Sequence, residues 1–294
     1  MTNTDPRVEA VSIVIPAYNE EEAIGPSIRE VVEAMDPSGI AYEILVVDDG
    51  STDRTAERAR AEGVRLIELP ENRGYGAALK AGIARTEHDV IVITDADGTY
   101  PAEAIPELIR LMSGYDMVVG ARIGLNPAIP AVRKPAKWFL GRLASYLAGQ
   151  AIPDLNSGLR VMRKPLVRRL MHLLPQGFSF TTTITLSALC SGSLVKYSKI
   201  DYRPRTGQSK IRPGHAFDFL LLIIRTIVYF NPLKIFLPAG AVFFIGGVAK
   251  FIYDIYIGNL SESALLGVFG AAALWSVGLL SDQISKVAMR DSES

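Results

Sequence analysis

Two apolar stretches near the C-terminal end of the sequence constrain the fold most strongly. Residues 235–281 carry only three charged side chains; within this window residues 235–253 hold one charge and residues 264–281 hold none. As helices rising ~1.5 Å per residue, each stretch would reach about 27–28 Å, close to the thickness of the hydrocarbon layer of a membrane. The alternative is two buried helices of a soluble core, but such helices usually keep a polar face. The sequence therefore predicts two membrane spans, at about residues 235–256 and 264–281.

The connector between the two stretches, residues 257–263, contains no Lys or Arg, whereas Lys234 precedes the pair and Lys286 and Arg290 follow it. Basic residues mark the cytoplasmic flanks of spanning helices. We therefore expect a helical hairpin with both termini, and the rest of the chain that precedes the hairpin, in the cytoplasm. The N-terminus has neither a basic segment nor a long apolar one, so no secretory signal is expected.

The remaining composition excludes several classes of protein. The 294 residues include 31 Lys+Arg and 31 Asp+Glu, and this zero net charge lacks the basic footprint of a nucleic-acid-binding protein. The single cysteine, Cys190, rules out an internal disulfide framework and any zinc site built from cysteines, and it suits a reducing compartment.

Apolar runs alternate with helical patterns through the first 120 residues. Residues 11–16 and 90–94 illustrate the runs, which are rich in β-branched residues and typical of strands buried on both faces. The predicted strands are 11–16, 43–48, 64–68, 90–94 and 117–120, and the predicted helices are 20–35, 51–63 (capped by Ser51 or Thr52), 74–86 and 101–112. This order predicts an α/β fold with a doubly wound, mostly parallel sheet that binds ligands at the carboxyl ends of its strands.

Acidic residues follow three of these strands, in residues 16–20, 48–51 and 95–98. Carboxylates crowded at one sheet edge raise the free energy unless a positive charge lies among them. A hydrated Mg²⁺ or Mn²⁺ that bridges a diphosphate would supply this charge, and Asp95 and Asp97 can reach one ion from a single turn. Two solvated turn acids are the alternative, and the two further acidic strand ends favour the metal site.

The sequence has neither a Walker phosphate loop nor a Gly-x-Gly-x-x-Gly after the first strand, which excludes two common modes of nucleotide binding. The turn at residues 72–76 is rich in glycine and opens a helix from which Lys80 could reach a pyrophosphate. A plain loop with a solvated lysine is the alternative.

Taken together, the motifs carry a family resemblance. PAYNEE (16–21), VVDDGSTDRT (46–55), ENRGYGAALKAGI (71–83) and TDADGTYP (94–101) resemble family 2 glycosyltransferases of the GT-A fold. With DLNSGLR (154–160) and the Gly-Gln-Ser-Lys run ending at Lys210, the chain is most similar to the branch that glycosylates polyprenyl phosphates, such as the dolichyl-phosphate mannose and glucose synthases and the bacterial undecaprenyl-phosphate enzymes. The resemblance covers about residues 11–212.

The resemblance implies roles for individual positions. It implies that the nucleoside is contacted by Pro16, Tyr18, Glu20 and Asp48. It implies that Asp95, Ala96 and Asp97 form the metal and diphosphate motif, and that Arg122 lies near the transferred sugar and the acceptor phosphate. Asp154 matches a position where related enzymes keep an acid essential to transfer, either as a base or to position the acceptor; a simple turn is the alternative.

The implied reaction moves a sugar from a UDP- or GDP-sugar to a lipid phosphate. Such a phosphate, with a second pKa of ~6, is already largely dianionic at neutral pH and needs little help from a base. Cations must hold it near the negative donor. The candidates for this acceptor region are Ser157, Arg160, Arg203, Arg205 and Lys210, with either Arg203 or Arg205 as the phosphate ligand. In-line attack at C1 predicts inversion of the anomeric configuration.

These predictions divide the chain into a GT-A domain (1–212), a juxtamembrane amphipathic helix (213–231) and the hairpin with a short tail (232–294). The apolar face of residues 215–230 predicts a helix at the membrane interface, with a helix packed on the soluble domain as the alternative. The membrane and the polyprenyl phosphate are the expected partners, no nucleic acid is expected, and a homo-oligomer is left open. Two other functions compete, a processive polysaccharide synthase and a catalytically silent nucleotide-sugar-binding protein. This chain lacks the Gln-x-x-Arg-Trp motif of the processive synthases. The intact Asp95 and Asp97 argue against a silent binding protein.

Overall fold

The computed structural model describes residues 8–123, 134–177, 179–201, 203, 215–259 and 261–291. Within this part of the chain, seven strands form one sheet. They are Ala10–Ala17 (β1), Ala41–Asp48 (β2), Arg65–Glu68 (β3), Val90–Ile93 (β4), Met117–Ala121 (β5), Arg160–Arg163 (β6) and Val195–Lys199 (β7). The first five are the strands that the apolar runs predict, and each lies within a few residues of its predicted position.

The strand order is β3-β2-β1-β4-β6-β5-β7. β6 is antiparallel to both its neighbours, β4 and β5, while every other pairing is parallel. The fold is therefore α/β with a mostly parallel sheet, as predicted. The sequence pattern beyond residue 122 indicates neither β6 nor β7, because both strands are short and carry basic side chains.

Helices cover both faces of this sheet. They are Ile24–Met35 (α1), Thr55–Ala61 (α2), Tyr75–Ile83 (α3), Ile105–Arg110 (α4), Lys134–Ala148 (α5), Lys164–Leu170 (α6) and Phe180–Cys190 (α7). Apolar side chains of α1, α2 and α4 form a core on one face, and those of α3, α6 and α7 form a second core on the other. The strands between the two cores are buried on both sides, which explains their continuous apolar runs.

The predicted cap of α2 is wrong. This helix begins at Thr55, after Arg54, and no side chain caps it. The Ser51 hydroxyl instead donates to Asp48, and the Thr52 amide donates to Asn19 Oδ1 over 2.9 Å. These contacts tie together the loops that follow β1 and β2.

Three further helices follow in the described part of the chain, His215–Phe230 (α8), Leu233–Ile257 (α9) and Glu262–Asp291 (α10). In the described residues, α9 and α10 are the two helices long and apolar enough to cross a membrane. In the most apolar stretch of each helix, only 11% of the residues in α9 and 17% of those in α10 are buried. This exposure does not fit the alternative of two soluble-core helices, since the apolar surface would face water. The division at residues 212 and 231 stays a prediction.

α8 packs on the soluble domain along one face. Ile223 and Ile227 are fully buried in a small cluster with side chains of α5 and α7. For the face of α8 that carries Ile223 and Ile227, the alternative prediction of a helix packed on the soluble domain is therefore correct. Leu221, which is 49% exposed, and Arg225 remain on the surface, where contact with a membrane stays a prediction.

Candidate functional site

A cavity of about 300 Å³ opens at the carboxyl ends of β1, β2 and β4. This is the sheet edge at which the topology predicts a ligand. Its walls are Pro16, Ala17, Tyr18, Glu20, Asp49, Asn72, Gly74, Tyr75, Ala78, Asp95, Ala96 and Asp97. Six of the eight positions predicted to bind the donor therefore lie in one cavity, although their contacts with a donor stay a prediction.

The carboxylate of Asp95 is fixed from two sides. The Tyr75 hydroxyl donates to Oδ1 over 2.8 Å, and the Cα of Gly158 lies so close that an added Cβ would stand 2.6 Å from Oδ2. Burial, followed by the charge of Asp95, raises the pKa of Tyr75 well above its ordinary value, so the phenol keeps the proton that it donates. Asp95 is thus held in one orientation at the cavity wall.

Asp97 belongs to the turn after β4. Its Oδ1 accepts hydrogen bonds from the Thr99 amide (3.2 Å) and the Thr99 hydroxyl (2.6 Å). Among the described residues no three His, Cys, Asp or Glu side chains lie close enough together to hold an ion alone. The donor set nevertheless fits Mg²⁺ or Mn²⁺, which prefer hard oxygen ligands and complete their coordination with substrate phosphates and water.

Two predicted donor residues point elsewhere. Asp48 is 4% exposed and accepts hydrogen bonds from Ser51, and burial raises its pKa. Lys80 donates to the carbonyl of Leu174, and burial lowers its pKa. Neither side chain lines the cavity, so neither placement supports its predicted role.

Asp49 was not among the predicted site residues, although it belongs to one of the acidic strand ends, residues 48–51. The Asp49 carboxylate accepts hydrogen bonds from the backbone amides of Arg73 (2.9 Å) and Gly74 (2.8 Å). These bonds fix the glycine-rich turn against the end of β2. Tyr75 and Ala78, also missed, reach the cavity from the helix that this turn opens. The glycine-rich turn is the sequence feature that could have identified them, because the first residues of the helix that it opens must face the same sheet edge.

Arg122 and Asp154 form an ion pair beyond the donor cavity. Nε and Nη2 of Arg122 donate to the two carboxylate oxygens over 2.6 and 2.9 Å, and the Arg122 amide adds a third bond of 3.1 Å. Asp154 is largely buried, and burial alone would raise its pKa. The bonds from Arg122 outweigh burial and hold the pKa below its usual value. Two residues with predicted acceptor roles thus act as a pair.

The placement of Ser157 and Arg160 does not support the prediction that they contact the acceptor phosphate, because both residues are fully buried. The Ser157 hydroxyl donates to the Gly120 carbonyl over 2.5 Å. The Arg160 guanidinium donates to the Ser157 carbonyl, the Thr181 carbonyl (3.1 Å) and the Thr185 hydroxyl (2.9 Å). Both side chains shape the loop around Asp154 instead of facing a ligand.

The Arg203 side chain is bound to two acids, and its amide donates to the Thr99 carbonyl over 2.9 Å, two residues from Asp97. Its guanidinium pairs with Glu30 at 2.9 Å and with Glu103 at 3.5 Å, and these contacts raise its pKa. This placement does not support a role in binding phosphate. Arg205 and Lys210, the other two candidates, lie outside the described residues.

Comparisons with known families match two segments of the chain. Residues 12–171 match the model of glycosyl transferase family 2, and residues 231–287 match that of the GtrB C-terminal hairpin. The first segment contains the whole cavity together with Arg122 and Asp154. The second contains both apolar helices.

Individual proteins extend these matches. A dolichyl-phosphate hexose transferase of Haloferax volcanii is 34% identical over 212 residues, which cover 71% of this chain and 90% of that protein. The fold resembles glucosyl-3-phosphoglycerate synthase from Mycobacterium tuberculosis, solved with Mn²⁺, UDP and phosphoglyceric acid (TM-score 0.62, 21% identity, 74% of this chain and 78% of that one). A second mycobacterial structure gives a TM-score of 0.58 at 22% identity, with 75% and 74% of the two chains covered.

Proposed function

The chain belongs to glycosyl transferase family 2, and from this premise we propose that it transfers a sugar from a nucleotide sugar to the phosphate of a membrane polyprenyl phosphate. It is a glycosyltransferase. The observation that carries the choice of acceptor is the union, in one chain, of the acidic cavity with the two apolar helices. The Haloferax relative, named for hexose transfer to dolichyl phosphate, supports this acceptor class.

The cavity supplies the donor site of this proposal. Tyr18 and Glu20 line the part expected to hold the nucleoside, and Asp95 and Asp97 line the part expected to hold the diphosphate. The two aspartates would hold the divalent cation, which when bound neutralises the charge that develops on the leaving nucleoside diphosphate. The Mn²⁺ and UDP bound by the mycobacterial synthase support a divalent cation with a UDP-sugar. Mg²⁺ instead of Mn²⁺, and GDP instead of UDP, remain within the proposal.

The acceptor side requires positioning more than proton transfer. A phosphate monoester with a second pKa of ~6 is already a dianionic nucleophile at neutral pH. Asp154 holds the Arg122 guanidinium through two bonds, and the Arg122 side chain is still 24% exposed. We assign Arg122 to the attraction of the acceptor phosphate and Asp154 to the orientation of Arg122. In-line attack at C1 gives a product of inverted configuration.

The placement in the membrane follows from the same chain. α9 and α10 would span the bilayer, so that the cavity lies on the side of both termini. The absence of Lys and Arg from residues 257–263, together with Lys234 and Lys286 at the other end, makes that side the cytoplasm. Cytoplasmic nucleotide sugars and a phosphate at the inner membrane surface would then meet at one sheet edge.

The test is a transfer assay with the purified full chain. With undecaprenyl phosphate and Mg²⁺ or Mn²⁺, label from one of UDP-glucose, UDP-galactose, UDP-GlcNAc or GDP-mannose should pass into the organic phase. Asp95→Ala and Asp97→Ala should each abolish this transfer. Glu107→Ala is the matched control, because this exposed acid of α4 lies away from the cavity.

Three results would contradict the proposal or its metal assignment. Full transfer by both aspartate variants would remove the metal assignment. Failure of every donor with the lipid phosphate, combined with polymer formation, would favour a processive synthase; the same failure without any product would favour a silent binding protein.

A further inference from the structure

We infer that Lys234, in the first turn of α9, is a positioning residue that ties the membrane hairpin to the loop carrying Asp154. The inference rests on the proposed function. Lys234 Nζ donates to the carbonyl of Leu147 over 2.8 Å. Leu147 lies in the last turn of α5, and the final carbonyls of a helix have no amide partner within it.

The end of α5 accounts for this contact. The Gly149 amide donates hydrogen bonds to the carbonyls of Ser145 (3.0 Å) and Tyr146 (3.2 Å). The Leu147 carbonyl instead accepts a hydrogen bond from the Lys234 ammonium. A cation at this end of a helix is also favoured by the helix dipole. A lysine at a membrane surface commonly extends its ammonium into water. Lys234 instead turns toward the protein and is only partly exposed.

The same end of α5 determines where the Asp154 loop begins. The Ser145 hydroxyl accepts the amide of Ile152 over 3.1 Å, two residues before Asp154. The side chains of Ile152 and Leu155, on either side of Asp154, pack against one small cluster built from α5, α7 and α8. The Asp154 loop is therefore held by α5 and by this cluster.

The first turn of α9 contacts both supports. Lys234 binds the end of α5, and Ile235, the next residue, packs against the cluster that holds Ile152 and Leu155. A shift of α9 relative to the domain would thus be transmitted to Asp154 and, through the ion pair, to Arg122. In this way the helix that enters the membrane sets the position of the side chains assigned to a lipid-borne acceptor.

The experiment compares Lys234→Met with the parent enzyme, both as full chains in nanodiscs. Loss of this charged hydrogen bond to the end of α5 predicts a fall of about tenfold in kcat/KM for undecaprenyl phosphate. KM for the nucleotide sugar should change less than twofold, because the donor cavity shares no contact with Lys234. Lys234→Arg should restore the acceptor kinetics.

Lys286→Met is the matched control. Lys286 is a cation at the same predicted membrane surface, it pairs with Asp282 over 2.7 Å, and it should leave the acceptor kinetics unchanged. Equal losses for donor and acceptor in Lys234→Met, or no loss at all, would overturn the inference.

Hydrogen exchange tests the inference without any substrate. Amides of residues 150–156 should exchange faster in Lys234→Met than in the parent, while those of residues 95–98 should not change. Unchanged exchange at 150–156 would also overturn the inference. A parent enzyme that fails to glycosylate the lipid would count against the proposed function alone, since the exchange result stands by itself.

Discussion

Gly158 joins the two halves of the site at the scale of single residues. Its Cα lies against the carboxylate of Asp95, and its amide donates to the Tyr100 hydroxyl over 2.6 Å. The loop that carries Asp154 thus meets the predicted metal ligand through backbone alone. Activity should therefore depend on the absence of a side chain at residue 158, which lets the backbone approach the Asp95 carboxylate.

Gly158→Ala tests this contact. The added Cβ would stand 2.6 Å from Asp95 Oδ2, so either the carboxylate or the loop must move. A displacement of about 1 Å at a reacting centre lowers turnover by ~10²-fold, and we expect a loss of this order. Steady-state turnover measures the loss. In Gly141→Ala, where the new Cβ meets nothing within 4 Å, turnover should be unchanged, and equal activity of the two variants would refute the contact's importance.

The pH dependence of the reaction follows from the Asp154–Arg122 pair. Because the pKa of Asp154 is lowered in the folded protein, its stabilising contribution is complete above the ordinary pKa of ~3.9 and is lost only as the pH falls through the lowered value. Between pH 5 and pH 8 Asp154 therefore keeps its charge.

The acid limb of kcat/KM for the lipid should accordingly follow the acceptor phosphate, with an apparent pKa of ~6. Asp154→Asn should lower the rate but leave the position of this limb unchanged, as measured by initial rates across the pH range. A limb that disappears in the variant would instead identify Asp154 as a base.

The positions of candidate site residues were predictable from the sequence only where a motif follows a strand. Asp95 and Asp97 lie where the strand-end argument placed them. Ser157 and Arg160 were predicted for the acceptor region but are buried, because Arg160 begins β6, a strand of four residues inserted antiparallel between two predicted neighbours. Nothing in the residue pattern indicates that insertion, and without it an arginine is expected at the surface and not in a buried network.

At the scale of elements, α9 and α10 pack through glycines. A Cβ on Gly247 would stand 2.8 Å from the Val268 amide nitrogen, and one on Gly267 would stand 2.6 Å from the Gly247 Cα. Small residues of this kind let helix backbones approach closely in a membrane, where apolar area alone gives little driving force. The apolar lengths predicted both helices, but the crossing point depends on contacts that composition does not specify.

Gly247→Ala should destabilise the hairpin by ~1–3 kcal/mol, the usual result of overpacking. Thermal unfolding in detergent measures the effect. The adjacent Gly246→Ala is the control, since its Cβ meets nothing within 4 Å and the same helix propensity is gained. Equal melting temperatures for the two variants would contradict the close packing of α9 against α10 at Gly247.

At the scale of the whole molecule, the hairpin is bound to the domain at both of its ends. Lys234 reaches α5 from the start of α9, and the Ser285 hydroxyl of α10 donates to the Val228 carbonyl of α8 over 3.3 Å. The alternation of charge and hydropathy predicted two parts, a charged domain and an apolar hairpin. How they are joined was not predictable, because the joining contacts use two backbone carbonyls and a few side chains from distant parts of the chain.

The predicted topology can be tested with one new thiol. Asn259→Cys lies in the exposed connector and should react with an impermeant maleimide added outside intact cells. The native Cys190 provides the background, because burial raises its pKa to about 11 and keeps the thiol unreactive. Labelling of Asn259→Cys only after the cells are opened would reverse the orientation.

The mass of the lipid product tests the central claim most directly. Transfer of a sugar to the acceptor phosphate predicts a product that gains one sugar residue and still contains a single phosphate. Mass spectrometry of the organic phase, after reaction of the full chain with undecaprenyl phosphate and an active donor, should detect this species and lose it in Asp95→Ala. A product that gains a sugar phosphate, and therefore contains a diphosphate, would contradict the account.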